Sequence, residues 1–174
     1  CALGNFLLEA RSAGWEAIGL EPSPYAAGYC REQHRLLVET GTLETVSLPP
    51  AAFDGVYMSE VLEHLADPCG SLERIWGLLR PGGALVLTTP NLTGLGTQLL
   101  GSQSVIFRPS EHLVLYSKSA LLKALRLAGF RVLSVRTRNL LLSGFARLLR
   151  RPASGVFLPA RDPAYRRTFH FLYH

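Results

Sequence analysis

Two periodicities alternate along this chain. Short apolar runs carry the pattern of strands, and between them lie amphipathic stretches with apolar residues three and four apart. Asn5–Ala13 sets Phe6, Leu7 and Ala10 at helical spacing and stops at Gly14, a residue type suited to a helix end. Trp15–Leu20 predicts a strand that stops at Glu21-Pro22. Ser23-Pro24 then opens a helix to Gln33, with Pro where its missing N–H costs nothing. Arg35–Val38 predicts a short strand before a turn at Gly41, and Phe53–Met58 a further strand running straight into Ser59–Leu65. Pro68–Leu79 predicts a helix stopped by a Pro81-Gly82-Gly83 turn. Ala84–Thr89 is apolar at successive positions, so it is expected to be buried on both faces. Leu92–Gly101 suggests a short helix. Ser117 caps another that runs to Leu127 and ends at Gly129. Arg131–Thr137 alternates as a strand, and beyond Arg150 the density of Pro, Gly and Arg predicts a loop or linker before a final aromatic run.

Strands alternating with helices predict an α/β sheet with crossover helices. The 174 residues suit one domain, and 48% hydrophobic against 18% charged residues excludes a disordered chain. Residues 1–150 are expected to form the domain and 151–174 a basic loop or extension. The net charge of +5 gathers late, at Arg136, Arg138, Arg147, Arg150, Arg151, Arg161, Arg166 and Arg167. These arginines read as a solvated surface, with no nucleic-acid partner expected. The alternative is a basic amphipathic segment, Leu140–Leu142, Phe145, Leu148 and Leu149 beside Arg147, Arg150 and Arg151, in peripheral contact with a membrane. Cys1, Cys30 and Cys69 form neither a metal knuckle nor a disulfide framework, which fits a cytoplasmic protein. No apolar run reaches the roughly 18–20 residues that span a bilayer.

In an open parallel sheet, ligands bind at the carboxyl ends of the strands. The Cys1–Asn5 loop enters a helix there, so its backbone N–H groups can face a polar or anionic ligand, and Gly4 permits close approach. Glu21, 17 residues after Gly4, ends the next strand where an acidic residue accepts hydrogen bonds from ribose hydroxyls. By themselves a glycine and a later glutamate are a pattern that chance supplies often.

Three further stretches are more specific: Phe53-Asp54-Gly55-Val56-Tyr57-Met58-Ser59-Glu60-Val61-Leu62-Glu63-His64-Leu65, then Asp67-Pro68, then Leu79-Arg80-Pro81-Gly82-Gly83 through Thr88-Thr89-Pro90-Asn91. They resemble the class I S-adenosylmethionine-dependent methyltransferases, and in particular the subgroup of ubiquinone-biosynthesis O-methyltransferases and related small-molecule enzymes. Leu3-Gly4-Asn5-Phe6-Leu7, Ser110-Glu111-His112-Leu113, Tyr116-Ser117 and Ala128-Gly129-Phe130 extend the resemblance over residues 1–138. It implies a Rossmann-like doubly wound sheet and S-adenosylmethionine as cofactor. Two departures stand out. Ala2 occupies the middle glycine of the family's Gly-Cys-Gly-x-Gly loop, and the strand and first glycine that precede the loop are missing from this chain. Loss of that central strand is expected to leave its neighbours unpaired and the core open.

The resemblance assigns Cys1, Ala2, Leu3 and Gly4 to the carboxypropyl end of the cofactor and Glu21 to its ribose. It puts Thr42 and Leu43 beside the adenine, and Met58 and Ser59 under the sulfonium. Met58 is otherwise a core residue. Glu60, Glu63 and His64 would share one face if they opened a helix, and two carboxylates with an imidazole can hold Mg²⁺, Mn²⁺ or Zn²⁺. The same cluster resembles the metal ligands of ubiquinone-pathway O-methyltransferases and of small-RNA 2′-O-methyltransferases, with His112 as a further ligand. In the alternative, Glu63 caps the helix start, and His64 or His112 packs locally or serves as general base.

Methyl transfer from a sulfonium needs chiefly alignment, plus proton removal when the acceptor is a hydroxyl. The expected reaction is transfer to oxygen, less readily to nitrogen or carbon, of a small molecule, lipid precursor or glycan. A catalytically impaired binding module is the first rival. A nicotinamide-dependent Rossmann oxidoreductase is the second, and it leaves the Glu-x-x-Glu-His and Arg-Pro-Gly-Gly stretches without a purpose.

Overall fold

A computed structural model describes residues 1–137 and the backbone of Thr168–Leu172. The elements in chain order are α1 (Asn5–Ser12), β1 (Glu16–Glu21), α2 (Pro24–His34), β2 (Leu37–Thr40), β3 (Phe53–Ser59), α3 (Pro68–Leu78), β4 (Leu79–Thr88), α4 (Leu95–Leu100), α5 (Lys118–Leu127) and β5 (Thr168–Leu172). Single 3₁₀ turns lie at Leu62–His64 and Gly101–Gln103.

Helix starts follow local chemistry. Ser23 Oγ accepts a hydrogen bond from the Ala26 amide at 3.3 Å, and Ser117 Oγ accepts one from Ala120 at 3.2 Å. Asp67 caps α3 by accepting from the Gly70 amide at 2.9 Å, with Pro68 in the first turn. At the end of α2, Arg35 turns left-handed (φ 52°), and so β2 begins at Leu37 rather than at Arg35.

The strands form one parallel sheet in the order β2-β1-β5-β3-β4. The central place expected to be vacant is filled by β5. It pairs with β1 from Glu16↔Thr168 to Leu20↔Leu172 and with β3 from Gly55↔Phe169 to Met58↔Leu172. The neighbours are therefore paired, and the final aromatic run supplies the pairing. Among the described residues, the registers join β1 and β3 to one another only through this strand.

Two other expectations change. Arg80–Gly83 does not stand apart as a turn. It is taken up into β4 as an irregularity, the register jumping from Phe53↔Leu79 to Gly55↔Ala84. Arg80 ties the irregular stretch to β3, donating to Asp54 Oδ1 at 3.0 Å and to the Ala52 carbonyl at 2.7 Å. Ala84–Thr88 is not buried on both faces. Burial alternates along it, with Val86 51% exposed, because β4 is the outermost strand among the described residues. The strand expected at Arg131–Thr137 is absent; those residues carry no regular structure and are mostly exposed. The basic amphipathic segment at 140–151 lies outside the described residues.

Apolar burial falls into two clusters. Leu20, Phe53, Val56, Met58, Leu62, Leu72, Ile75 and Leu78 lead the larger one, which packs α3 and α5 on the sheet. Leu7, Ala10, Trp15, Ala27, Cys30 and Val38 join α1 and α2 to the other half. Phe6 of α1 stacks on Tyr57 of β3, ring centroids 4.2 Å apart at 16°, so α1 reaches across to the β3 half. No helix among the described residues is long and apolar enough to cross a membrane.

Candidate active site

The carboxyl ends of β1 and β3 bring the expected residues to one edge of the sheet. The Cys1–Asn5 loop turns tightly, with the Gly4 amide donating to the Cys1 carbonyl at 3.0 Å. Gly4 caps α1 in the left-handed region (φ 81°) without a side-chain cap. A Cβ there would stand 2.5 Å from Leu36 Cδ1 and 3.0 Å from Cys30 Sγ, so glycine is required by both space and backbone. Ala2 also sits at positive φ (47°), where alanine carries a steric cost that glycine escapes. Cys1 is buried and Leu3 exposed.

Glu21 ends β1 and is almost wholly buried. Its Oε2 accepts from the Cys1 and Ala2 main-chain nitrogens, each at 2.7 Å, and its Oε1 accepts from the Ser23 amide at 3.0 Å. The acid thus organises its own loop, and Oε1 keeps one further lone pair for a ligand hydroxyl. Thr42 is held to Thr45, its amide donating to Oγ1 at 2.9 Å. Leu43 is buried in the larger cluster rather than open to a ligand. Met58 is likewise completely buried in that cluster, so core packing accounts for its side chain.

Beyond Ser59 the chain does not continue as an α-helix. Glu60 adopts a left-handed conformation (φ 54°), and Leu62–His64 is one 3₁₀ turn. Glu60, Glu63 and His64 therefore do not share a helical face as their spacing predicted. Thr88 Oγ1 donates to Glu60 Oε1 at 2.7 Å, while Thr89 Oγ1 donates to Glu63 Oε2 at 2.9 Å. Glu63 is fully buried, and its carbonyl receives the amides of Leu113 and Val114 at 2.8 and 3.1 Å. Desolvation pushes its carboxyl above the ordinary range; hydrogen bonds from the backbone and Thr89 oppose the shift, as does His64, and Glu60 adds to it.

His64 and His112 converge on this carboxyl. His64 Nδ1 lies 2.6 Å from the Glu111 carbonyl and His112 Nδ1 2.7 Å from the Ile106 carbonyl. A carbonyl only accepts, so both Nδ1 atoms carry the proton and both Nε2 atoms are left as acceptors when the rings are neutral. Ligand atoms of Glu63, His64 and His112 lie within 4.8 Å of one another, and Glu63 Oε1 is buried without a hydrogen-bond partner. Glu60 is not one of this group. The three residues line a cleft of about 690 Å³ with Glu60, Arg108, Ser110, Glu111 and Leu113, and Arg108 pairs with Glu111 at 3.1 Å. Thr88, Thr89, Arg108 and Glu111 had no assigned role. The Thr88-Thr89 pair following an apolar strand was the available signal, since it marks the carboxyl end of that strand.

A parallel doubly wound sheet with a loop-to-helix entry at one strand end, an acid at the next and a carboxylate–histidine cleft beside them defines a Rossmann-like class I methyltransferase. A family of methyltransferase domains matches residues 1–135, and the chain belongs to it. A "Probable S-adenosylmethionine-dependent methyltransferase" of Mycolicibacterium smegmatis is 33% identical over 75 residues, covering 42% of this chain and 29% of that protein. A "Ubiquinone biosynthesis O-methyltransferase" of Xanthomonas campestris is 46% identical over 44 residues, covering 25% of this chain and 18% of its own length. This chain thus spans less than a third of either relative. An S-adenosylmethionine-dependent methyltransferase from Mesorhizobium loti has the same fold, with TM-score 0.66, 19% identity, and coverage of 86% of this chain and 81% of that one.

Proposed function

We propose that this chain carries the active site of an enzyme that transfers a methyl group from S-adenosylmethionine to an oxygen of a small-molecule acceptor. A lipid precursor or a glycan falls within that class, and nitrogen or carbon acceptors are less well served by the site. The observation that carries the reading is the pair of histidines whose Nδ1 atoms are both held by backbone carbonyls beside the cleft. The Xanthomonas relative's name, an O-methyltransferase, supports oxygen as the acceptor atom.

Bound at this edge, S-adenosylmethionine supplies a methyl group already activated by the positive charge on sulfur. The amides of Leu3 and Asn5, at the loop and at the uncapped start of α1, are placed to meet its polar end, since those of Cys1, Ala2 and Gly4 are already engaged, and Glu21 Oε1 has a lone pair for a ribose hydroxyl. His64 or His112 takes the acceptor's proton at Nε2, and the Nδ1 hydrogen bond holds the ring in the basic tautomer. The cleft lies beside the end of β3, so acceptor and donor sites adjoin. Three free cysteines, two of them buried, support a reducing compartment such as the cytoplasm as the setting of this reaction.

A second reading is favoured by Glu63 Oε1, which is buried without a hydrogen-bond partner and lies 3.9 Å from His64 Nε2. With the Nε2 atoms of His64 and His112 it forms an O/N donor set of the kind that suits a divalent cation such as Zn²⁺ or Mn²⁺. Glu60 is not among the residues whose ligand atoms cluster there.

Calorimetry with S-adenosylmethionine on the full chain, alongside Glu21→Ala, tests the donor site. Micromolar binding that weakens at least tenfold in the variant is expected, on the order of one charge-assisted hydrogen bond. No binding by either protein overturns the reading. Binding without turnover on any acceptor would make the chain a binding module instead.

A further inference from the structure

The connections between strands of this sheet can be compared by their hand. Tyr57 and Met58 are successive residues of β3 and face opposite sides; Met58 belongs to the larger apolar cluster, and Tyr57 packs against the other. One face of the sheet therefore carries α1 and α2, and the opposite face carries α3 and α5. From β1 to β2 the chain steps toward the β2 edge, and α2 makes the pass on the α1 face. From β2 to β3, and again from β3 to β4, it steps toward the β4 edge. Leu43, Val46 and Leu48 hold the first of those passes on the α3 face, and α3 itself makes the second. Reversing both the direction and the face preserves the hand. All three connections thus share one hand, the right-handed one that parallel crossovers almost always take.

The step into β5 breaks this agreement. It runs from β4 back past β3, toward the β2 edge, so the same hand requires a pass over the α1 face. α5 makes the pass on the other face, where Leu121, Ala124 and Leu125 lie against the larger cluster. The helix begins just after Tyr116, which bridges to Asn91 beyond the carboxyl end of β4. Just past its other end, Phe130 meets Trp76 edge to face at 5.3 Å, close to where β4 starts. The chain has therefore already crossed on the α3 face before β5 begins. Entry of β5 into its own sheet makes a left-handed crossover, a geometry found in about 2% of cases.

The strand is nevertheless indispensable, since it alone pairs with both β1 and β3 among the described residues. A strand from a neighbouring molecule forms the same pairs with no crossover inside one chain. Residues 138–167 separate the described body from β5, and at roughly 3.3 Å each an extended chain of that length reaches on the order of 100 Å. Five strands at about 4.8 Å spacing are far narrower than that.

We infer that the central strand is exchanged between two copies of this chain: the β5 of each fills the place between β1 and β3 of the other. Reciprocal exchange of an identical element closes a two-fold dimer without any new surface. The registers remain those of the parallel sheet described above. Each candidate site is then completed by both copies, because Glu21 ends β1 and the histidine cleft follows β3, on the two sides of the exchanged strand.

The test is a disulfide placed across the central ladder. Glu16 and Thr168 are register partners, and neighbouring strands about 4.8 Å apart bring their Cα atoms within the range a disulfide can bridge. The full chain carrying Glu16→Cys and Thr168→Cys, with the exposed Cys69→Ser to remove a competing thiol, is to be oxidised and run on a non-reducing gel. Covalent dimer is expected, and wild type should sediment at twice the mass of one chain at tens of micromolar. A disulfide closed within single chains overturns the inference, as does a monomeric wild type. The two cysteine variants made separately and refolded together provide a second arm that needs no double variant. A cross-link between them is expected only if the β5 of one lies against the β1 of the other. Its absence in a mixture that circular dichroism shows to be folded overturns the inference by itself.

Discussion

His64 and His112 meet edge to face, with ring centroids 5.0 Å apart and planes at 66°, each pinned through Nδ1 by a main-chain carbonyl. They come from segments 48 positions apart and are brought together because the Glu63 carbonyl takes the Leu113 and Val114 amides. The cleft chemistry therefore depends on one short backbone junction.

If one of the pair is the general base, its loss should reduce turnover by about 10²–10⁴-fold, the usual range for positioned proton transfer. His64→Ala and His112→Ala are to be compared by the initial rate of methyl transfer to a hydroxyl acceptor. The base variant should lose rate with little change in donor KM. Equal, small effects at both positions would take the proton-transfer role from the histidines.

Glu63 yields a pH-dependent stability prediction. Its folded carboxyl titrates above the ordinary value because burial disfavours the charge. A group raised on folding contributes stability that is complete below its unfolded pKa and lost as pH rises through its folded one. In metal-free protein, Glu63→Gln should therefore melt above wild type at neutral pH. The difference should shrink as the medium is acidified to below the unfolded carboxyl's pKa. Thermal melts across pH check this, and a constant difference would contradict it.

The metal reading makes the opposite demand on the same side chain. Adding Zn²⁺ or Mn²⁺ should raise the wild-type melting temperature in proportion to the logarithm of free metal. His64→Ala, His112→Ala and Glu63→Gln should abolish that rise, and Glu60→Gln should leave it in place. Metal titrations followed by melting would refute the reading if Glu60→Gln alone abolished the effect.

Ala2→Gly should stabilise the donor loop. Alanine at φ 47° incurs a left-handed penalty on the order of 1 kcal/mol, partly offset by the greater freedom of glycine when unfolded. A small gain in chemical-denaturation midpoint with unchanged slope is expected. The converse change, Gly4→Ala, should destabilise much more, because its Cβ meets Leu36 as well as the backbone preference.

Amide exchange tests the central pairing. If β5 is inserted as the registers describe, amides in Ile18–Leu20 and Val56–Met58 should be protected along with those of Thr168–Leu172. A Phe169→Pro change, which removes one ladder donor, should release all three together. Free exchange at 168–172 beside protected β1 and β3 would contradict the pairing.

What the sequence disclosed was local. Caps at Ser23 and Ser117, the helix over residues 68–78 and the strand at Phe53 are set by neighbouring residues, so periodicity and capping find them. The place of Glu21 at the end of β1 was legible because its distance from Gly4 is a property of one loop-helix-strand unit. The Glu60–His64 geometry was not, since a left-handed glutamate breaks the helical spacing and nothing in the residue type announces it. The exposure of Val86 escaped prediction because an apolar run looks the same in a central strand and in an edge strand. The hydrogen bonds of Thr88 and Thr89 to Glu60 and Glu63 needed the register of β3 against β4, which is a tertiary fact.

The position of β5 sets the order in which this protein can assemble. Glu16 pairs with Thr168, 152 positions further along the chain, and that ladder sits in the middle of the sheet. Closing so long a loop exacts its entropy before any central contact forms, which raises contact order and slows folding. During synthesis the loop, the acid at Glu21 and the histidine cleft all leave the ribosome before the strand that joins their two halves. Before that strand docks, the edges of β1 and β3 that it covers are open to pairing with other extended chain, so a late-docking β5 leaves this half of the sheet prone to aggregation.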